Sequence, residues 1–366
     1  MISLLQHLSH PISVLLLTGI VIMGALVMVL FKKLLSKEQG TKPDFIGRAS
    51  AGSKPVDAEI IQRFKDKADQ AMDLTNTYRK FVPKQFVNHF AKYGPQSLEL
   101  GYADEADLAI LFCDIRGFTG LSERMSPQEV MNFLNSYFMR MNDPIHQNGG
   151  FIDKFIGDAI MALFDHPNGS SKEKAVDAIR SALDLRYALN VYNQHRSNSK
   201  YPPINIGIGI HFGPVVIGTV GSDDRMDTTV IGDSVNMACR LEALAPLYNT
   251  DIVVSAHILD VADAAKYFCF RILDWVRVKG RKAPIEIYEL IDHQAKSVQQ
   301  LKLANALLIQ QGLTYRIKQQ WPQAIAHFEQ ALRINPVDSL VIHHLEQCEI
   351  LQKQPLPKNW DGALVL

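Results

Sequence analysis

Two short apolar runs, each delivering an aspartate to a turn, constrain this chain more than any other feature. Residues 108–113 (LAILFC) lead into Asp114, and residues 151–156 (FIDKFI) lead through Gly157 into Asp158. Continuous apolar runs of this length, bounded by turn residues, read as buried strands of a sheet. Acids at the ends of such strands lie at the sheet rim, where ligands usually bind. No cysteine or histidine clusters beside them, so the pair offers oxygen ligands of the kind that suit Mg²⁺ or Mn²⁺. For an arbitrary pair of acids the plain alternative is two solvated turn residues.

The rest of the chain supplies the setting. Residues 1–31 contain no Lys, Arg, Asp or Glu, and 12–31 (ISVLLLTGIVIMGALVMVLF) are predominantly apolar. At about 1.5 Å per residue this run matches the ~30 Å bilayer core. Lys32, Lys33 and Lys37 follow, which predicts a single membrane helix with its C-terminal side in the cytoplasm. The start lacks the basic residues of a cleaved signal peptide. Residues 32–55, rich in Gly, Ser, Lys and Pro, read as a linker. Over 56–92 Ile60, Phe64, Ala68, Met72 and Leu74 recur mostly at four-residue steps, predicting a helix interrupted by Pro83. Lysines and arginines equal aspartates and glutamates at 38 each, which argues against a nucleic-acid partner. The four cysteines are far apart and form no CxxC pair, consistent with a reduced, cytosolic bulk.

Between the two acids, Ser126 and Glu129 make a capping box with Pro127 at the first helical position. Val130, Phe133, Leu134, Tyr137 and Phe138 then form a core-facing stripe. Asn148-Gly149-Gly150 signals a turn, and 174–192 reads as an amphipathic helix. Residues 204–210 (INIGIGI) and 214–220 flank His211-Phe212-Gly213 as a predicted hairpin, with His211 a turn or sheet residue rather than a ligand. Residues 233–245 predict a helix capped by Asp233 or Ser234, with Val235, Ala238, Leu241 and Ala245 on its apolar face. Asn236 and Arg240 lie one turn apart on another face and can reach one ligand, or else are solvated. Lys154 stands in a strand among large apolar residues, so its ammonium needs either an acceptor or a path to water. From 296 to 352 the pattern is helical. Gly312, Tyr315, Ala324, Phe328, Ala331 and Pro336 fall on the spacing of a tetratricopeptide repeat. One such repeat cannot bury its own face and should dock on a neighbour. It could engage a protein partner or support a dimer, and 353–366 reads as a tail.

FCDIRGFTGLSE, DKFIGDAIMALF and RMDTTVIGDSVNMACRLE, in that order, resemble the signature blocks of the class III nucleotidyl cyclases. These enzymes make cyclic nucleotides from nucleoside triphosphates. The resemblance spans roughly residues 80–292 and implies an α+β domain over 100–293 with a ferredoxin-like βαββαβ core. It assigns Asp114, Asp158 and the backbone carbonyl of Ile115 to two Mg²⁺ or Mn²⁺ ions. It gives the ribose to Asn236, the α-phosphate charge to Arg240 and the base to Lys154 and Thr229. Arg225 would contact the triphosphate, although its register departs from the family's basic residue by about one position. Donor and acceptor chemistry favours adenine. Lys154 can donate to N1 and the Thr229 hydroxyl can accept from N6, whereas guanine would call for a carboxylate where Lys154 stands. Many members carry Asp where this chain has Thr229, an exchange that resembles the class IIIb subgroup, some of whose members respond to bicarbonate.

FVPKQF resembles a segment ahead of many bacterial cyclase domains, where the preceding helix pairs with its twin. The resemblance also implies a homodimer with shared sites. One subunit brings the acids; the other brings Lys154, Thr229, Asn236 and Arg240. The expectation is a membrane-anchored adenylate cyclase acting on ATP. Its rivals are a guanylate cyclase, disfavoured by Lys154, and a silent cyclase-like sensor or scaffold working through the tetratricopeptide-like segment.

Overall fold

The computed structural model of the chain describes residues 56–78, 81, 83–86, 100–166, 169–278, 283–357 and 360–365. The expected membrane span at 12–31 and linker at 32–55 lie outside the described residues. Among the described residues no helix is long and apolar enough to cross a membrane. Helix α1 (Val56–Tyr78) is continuous, with Met72 and Leu74 exposed.

The core sheet follows from how its strands alternate. It runs β1 (Ala103–Ile115), α2 (Phe118–Ser122), α3 (Pro127–Gln147), β2 (Phe151–Ile156), β3 (Ala159–Phe164), α4 (Ser171–Asn198) and β4 (Ile206–Ser222). The strands line up β2-β3-β1-β4, each antiparallel to its neighbour, which is the ferredoxin-like βαββαβ arrangement. Ala109, Leu111, Cys113 and Ile115 of β1 face the core formed with Tyr137 and Met141 of α3 and with Ile179 and Leu185 of α4. Leu108, Ile110 and Phe112 face the other way, against Phe86, Val215 and Ile217. A strand covered on both faces has no polar side, so its sequence reads as one apolar run. Phe86 anchors the segment after Pro83 by an edge-on contact with Phe151, ring centroids 5.4 Å apart.

The two longest helices of the core start at capping boxes. Ser126 and Glu129 form the expected capping box on α3. α4 begins with a second such box, Ser170 with Glu173, and extends beyond both ends of the expected 174–192.

The expected hairpin at His211-Phe212-Gly213 is not formed. β4 runs straight through it and turns at Asp223-Asp224 instead, pairing Ser222 with Arg225 at the start of β5 (Arg225–Ile231). Gly213 serves close approach rather than a turn, because a Cβ there would lie 2.5 Å from the Ser234 hydroxyl. His211 is a buried strand residue with Nδ1 2.7 Å from Ser255 Oγ.

After β5 come α5 (Asp233–Leu244), β6 (Ile252–Ser255), α6 (Ala256–Ala262), β7 (Phe270–Arg277) and β8 (Ile285–Leu290). These strands extend the sheet beyond β4 in the order β6-β8-β7. Gly209 lets α5 lie flat on β4: an added Cβ would come within 2.2 Å of the Glu242 backbone nitrogen. The expected cap on α5 is absent. Gly232 occupies the N-cap with no side-chain bond, and the Ser234 hydroxyl donates to the Pro214 carbonyl instead.

Helices α7 (Lys296–Ala304), α8 (Ala306–Ile317), α9 (Trp321–Ile334) and α10 (Ser339–Leu351) close the chain. Gly312 lets α8 and α9 close together, since a Cβ there would lie 2.6 Å from the Phe328 ring. The group packs on the sheet: Ile309, Leu313 and Phe328 share one apolar cluster with Leu241, Leu273 and Ile287. Buried charges fix this docking. Arg316 pairs with Asp274, which also accepts from the Tyr248 hydroxyl at 2.9 Å. Arg271 pairs with Glu289 and, through Nη2 at 3.0 Å, with Asp338. The terminal residues expected as a tail return to the sheet as β9 (Leu364–Val365), parallel to β7.

Candidate active site

The register of the core brings the two acids together. Cys113 stands opposite Ile160, so the end of β1 meets the start of β3 and the Gly157-Asp158 turn. Gly157 adopts φ 63, a left-handed turn conformation that strongly favours glycine. The result is a carboxyl pair close enough to hydrogen-bond. Burial, and then the neighbouring Asp114, push the Asp158 carboxyl up to about 7. One oxygen of Asp158 is buried without a hydrogen-bond partner. Ile115 is buried, and its N–H donates to Asp114 Oδ1 at 3.0 Å. Two crowded acids with an unsatisfied buried oxygen make a site that a cation would complete.

A third carboxylate joins them. The Glu242 side chain lies where a Gly207 Cβ would stand, 2.5 Å from Oε1, next to Arg116 Nη2. Burial and Asp114 raise the Glu242 carboxyl to about 7, partly offset by Arg116. Arg116 is itself held by donation to the Thr250 carbonyl. Sequence reasoning assigned no role to Glu242 or Arg116. The usable signal was the pair Gly207 and Gly209, two apart on one strand face, which marks a helix pressed against that face.

Lys154 and Thr229 also meet within one chain. Lys154 Nζ donates to Thr229 Oγ1 at 2.9 Å and lies 3.4 Å from Asp227 Oδ2 and 3.7 Å from Asp153 Oδ2. The ammonium thus has acceptors, and it reaches them from β2 to β5. Thr229, Asp227 and Arg225 alternate onto one face of β5. Arg225 sits exposed at the hairpin tip, and among the described residues no hydrogen bond or ion pair joins it to Lys154 or Thr229. On α5, Met237, Ala238 and Leu241 are buried, leaving Asn236 exposed and Arg240 half-buried on the opposite side.

Among the described residues, Asp274, His343 and His344 form a histidine–carboxylate group close enough to hold an ion. Arg316 fills it. Its guanidinium pairs with Asp274 and lies 3.3 Å from His344 Nδ1, while His344 Nε2 donates to the Leu273 carbonyl at 2.8 Å. Burial pushes the His344 imidazole down to about 3, so it sits neutral beside the Arg316–Asp274 ion pair.

Comparison with known proteins agrees with this geometry. Residues 102–292 match the family model described as "Adenylate and Guanylate cyclase catalytic domain". The chain is 39% identical over 255 residues to an adenylate cyclase of Anabaena cylindrica, covering 68% of this chain and 49% of that protein. It is 33% identical over 280 residues to the terminal-differentiation specific adenylate cyclase of Dictyostelium discoideum, covering 76% of this chain and 13% of that one. The chain therefore spans half or less of these relatives. A solved bacterial light-regulated adenylyl cyclase superposes with a TM-score of 0.56 at 27% identity, covering 75% of this chain and 83% of that one. The ferredoxin-like order of β1 to β4, the acids it brings together and a family match over more than half the chain lead to one conclusion: this protein belongs to the adenylate and guanylate cyclase catalytic-domain family.

Proposed function

We propose that this protein is an adenylate cyclase converting ATP to 3′,5′-cyclic AMP and pyrophosphate. The observation that carries the reading is Asp158 crowded against Asp114 with one buried oxygen unsatisfied. Asp114, Asp158 and the Ile115 carbonyl would hold two Mg²⁺ or Mn²⁺ ions. When bound, such a pair lowers the charge barrier for attack of the ribose 3′-hydroxyl on the α-phosphorus and departure of pyrophosphate. The chain's own part is positioning and charge. Arg240 offers a planar fork to the α-phosphate oxygens as negative charge gathers there. Asn236, one turn earlier, orients the ribose. Arg225, at the hairpin tip, would contact the triphosphate.

Lys154 and Thr229 favour adenine. Their 2.9 Å bond leaves an ammonium donor and a hydroxyl side by side. Entry of the base would replace that bond with donation from Lys154 to N1 and from the N6 amino group to Thr229. The relatives named above as adenylate cyclases support the same choice.

The working form is a homodimer in which one subunit supplies the acids and the other supplies Lys154, Thr229, Asn236 and Arg240. Val216 and Ile231, register partners exposed on the β4–β5 hairpin, give that face the apolar character of an interface. A membrane anchor at 12–31 would hold the catalytic domain at the cytoplasmic surface. The C-terminal helices are read as a tetratricopeptide-like segment that steadies the domain or engages a protein partner. Thr229 supports a class IIIb-like assignment with bicarbonate as an effector. An unchanged rate with added bicarbonate, at fixed pH and ionic strength, would dispose of that effector.

The deciding experiment incubates the purified full chain with Mn²⁺ and either ATP or GTP. Cyclic AMP from ATP alone is expected. Cyclic GMP from GTP would transfer the reading to a guanylate cyclase, and no product from either would leave a silent scaffold. Mixing Asp114→Ala with Arg240→Ala subunits should restore activity, and no rescue at any ratio would argue for a site within one chain.

A further inference from the structure

A cleft that shares no lining residue with the proposed cyclase site has the chemistry of an anion site. It lies between the N-terminal half of α3 and the last turns of α4, encloses about 490 Å³, and includes Arg124, Arg140, His195 and Arg196 in its lining. That volume is in the range of small-molecule pockets. Glu129 is its only acidic lining residue, and its carboxylate is engaged by the Ser126 N–H at 2.8 Å and hydroxyl at 2.7 Å.

Arg196 is the decisive residue. It is 6% exposed, and its guanidinium lies 5.0 Å from the Phe133 ring, 5.7 Å from Tyr192 and 5.6 Å from Tyr201. Its Nε donates to the Pro202 carbonyl at 2.8 Å, but Nη2 is buried with no hydrogen-bond partner. Among the described residues no carboxylate forms an ion pair with it. A buried guanidinium caged by rings and lacking an anion is left incompletely satisfied. Two further arginines on the rim, both exposed, could close on the same ligand.

We infer that this cleft binds a small organic anion, a carboxylate or phosphate carried on a flat ring. The charged group would meet the arginines, and the ring would lie against Phe133, Tyr192 and Tyr201. Phe133 in turn stacks on Phe118, ring centroids 6.2 Å apart and planes 15° apart, and Phe118 follows Asp114 by four residues. The ligand would therefore sit one aromatic layer from the acid-bearing loop. None of these cleft residues takes part in the proposed cyclase chemistry.

The test is ligand-observed NMR on the full chain with benzoate, phenyl phosphate, inorganic phosphate and benzyl alcohol as probes. Benzoate and phenyl phosphate should bind, with benzyl alcohol and inorganic phosphate each about tenfold weaker or more. Arg124→Ala combined with Arg140→Ala, both surface changes that spare the fold, should weaken the two ring anions about tenfold or more. Arg240→Ala, in the cyclase site, should leave them unchanged. Failure of every probe to bind folded protein would overturn the site and leave Arg196 as a cap on the α4 C-terminus. Binding insensitive to the double change, or lost in Arg240→Ala, would also overturn it. Equal binding of inorganic and phenyl phosphate would likewise overturn it, because the ring is part of the recognition.

Discussion

Replacing Asp158 with asparagine should make the metal-free protein more stable while removing its response to divalent cations. The Asp158 carboxyl is raised from an ordinary 3.8 to about 7 by burial and by Asp114. Each pH unit is worth about 1.36 kcal/mol, so the ceiling on the resulting penalty is ~4 kcal/mol. The carboxyl is half-buried rather than enclosed, and screening reduces the figure to ~1–2 kcal/mol. The sign follows from proton binding. The folded state holds this proton more tightly than the unfolded chain. The fold is therefore favoured below about pH 4, and that advantage is lost as pH rises to about 7. An asparagine at this position carries no charge in either state, and its amide can donate to Asp114.

In chelator near pH 8, Asp158→Asn should melt higher by roughly 2–8 °C, taking ~2–4 °C per kcal/mol for a domain of this size. The gap should narrow towards about pH 5, where much of the native carboxyl is protonated. Mn²⁺ should then raise the parent's melting temperature and leave the variant's nearly unchanged. Thermal melts in chelator and in Mn²⁺ at the two pH values read all of this. A variant that melts lower than the parent near pH 8, or that gains as much from Mn²⁺, would refute the crowding of the two acids.

Three further outcomes follow from other parts of the molecule. Lys154→Glu should lower kcat/KM for ATP by about 10–100-fold, the loss expected for a charged hydrogen bond of ~1.5–3 kcal/mol, and should improve GTP relative to ATP. Parallel assays with the two nucleotides check this. Arg316→Met strands the fully buried Asp274 carboxylate and should cost about 3–5 kcal/mol, read as a fall in the urea midpoint. An unchanged midpoint would mean that the pair does not hold the C-terminal helices. Gly209→Ala places a methyl 2.2 Å from the Glu242 nitrogen and 2.3 Å from the Ala238 carbonyl. Lifting α5 off β4 should cost ~1–3 kcal/mol and depress kcat more than KM, because Asn236 and Arg240 ride on that helix.

Much of the core was legible because its signals are local. The apolar runs before Asp114 and Asp158, the Ser126 capping box and the glycine turn between β2 and β3 each act within a few residues. The hairpin expected at His211-Phe212-Gly213 failed for the opposite reason. A glycine there looks like a turn, but Gly213 is small because the Ser234 side chain stands against it, and Ser234 is 21 residues away. The α5 cap failed in the same way, since Ser234 spends its hydroxyl on the Pro214 carbonyl.

By itself the sequence determined the apolar strands that end near Asp114 and Asp158 and the capped start of α3, because burial on both faces of a sheet and helix capping both leave short-range marks. The tertiary structure alone decided which charges meet. Glu242 on α5 joins Asp114 and Asp158, Lys154 on β2 reaches Asp227 on β5, and Arg316 finds Asp274 beneath the terminal helices. Such meetings depend on register and on helix docking, and a charged side chain has no periodicity that announces its partner.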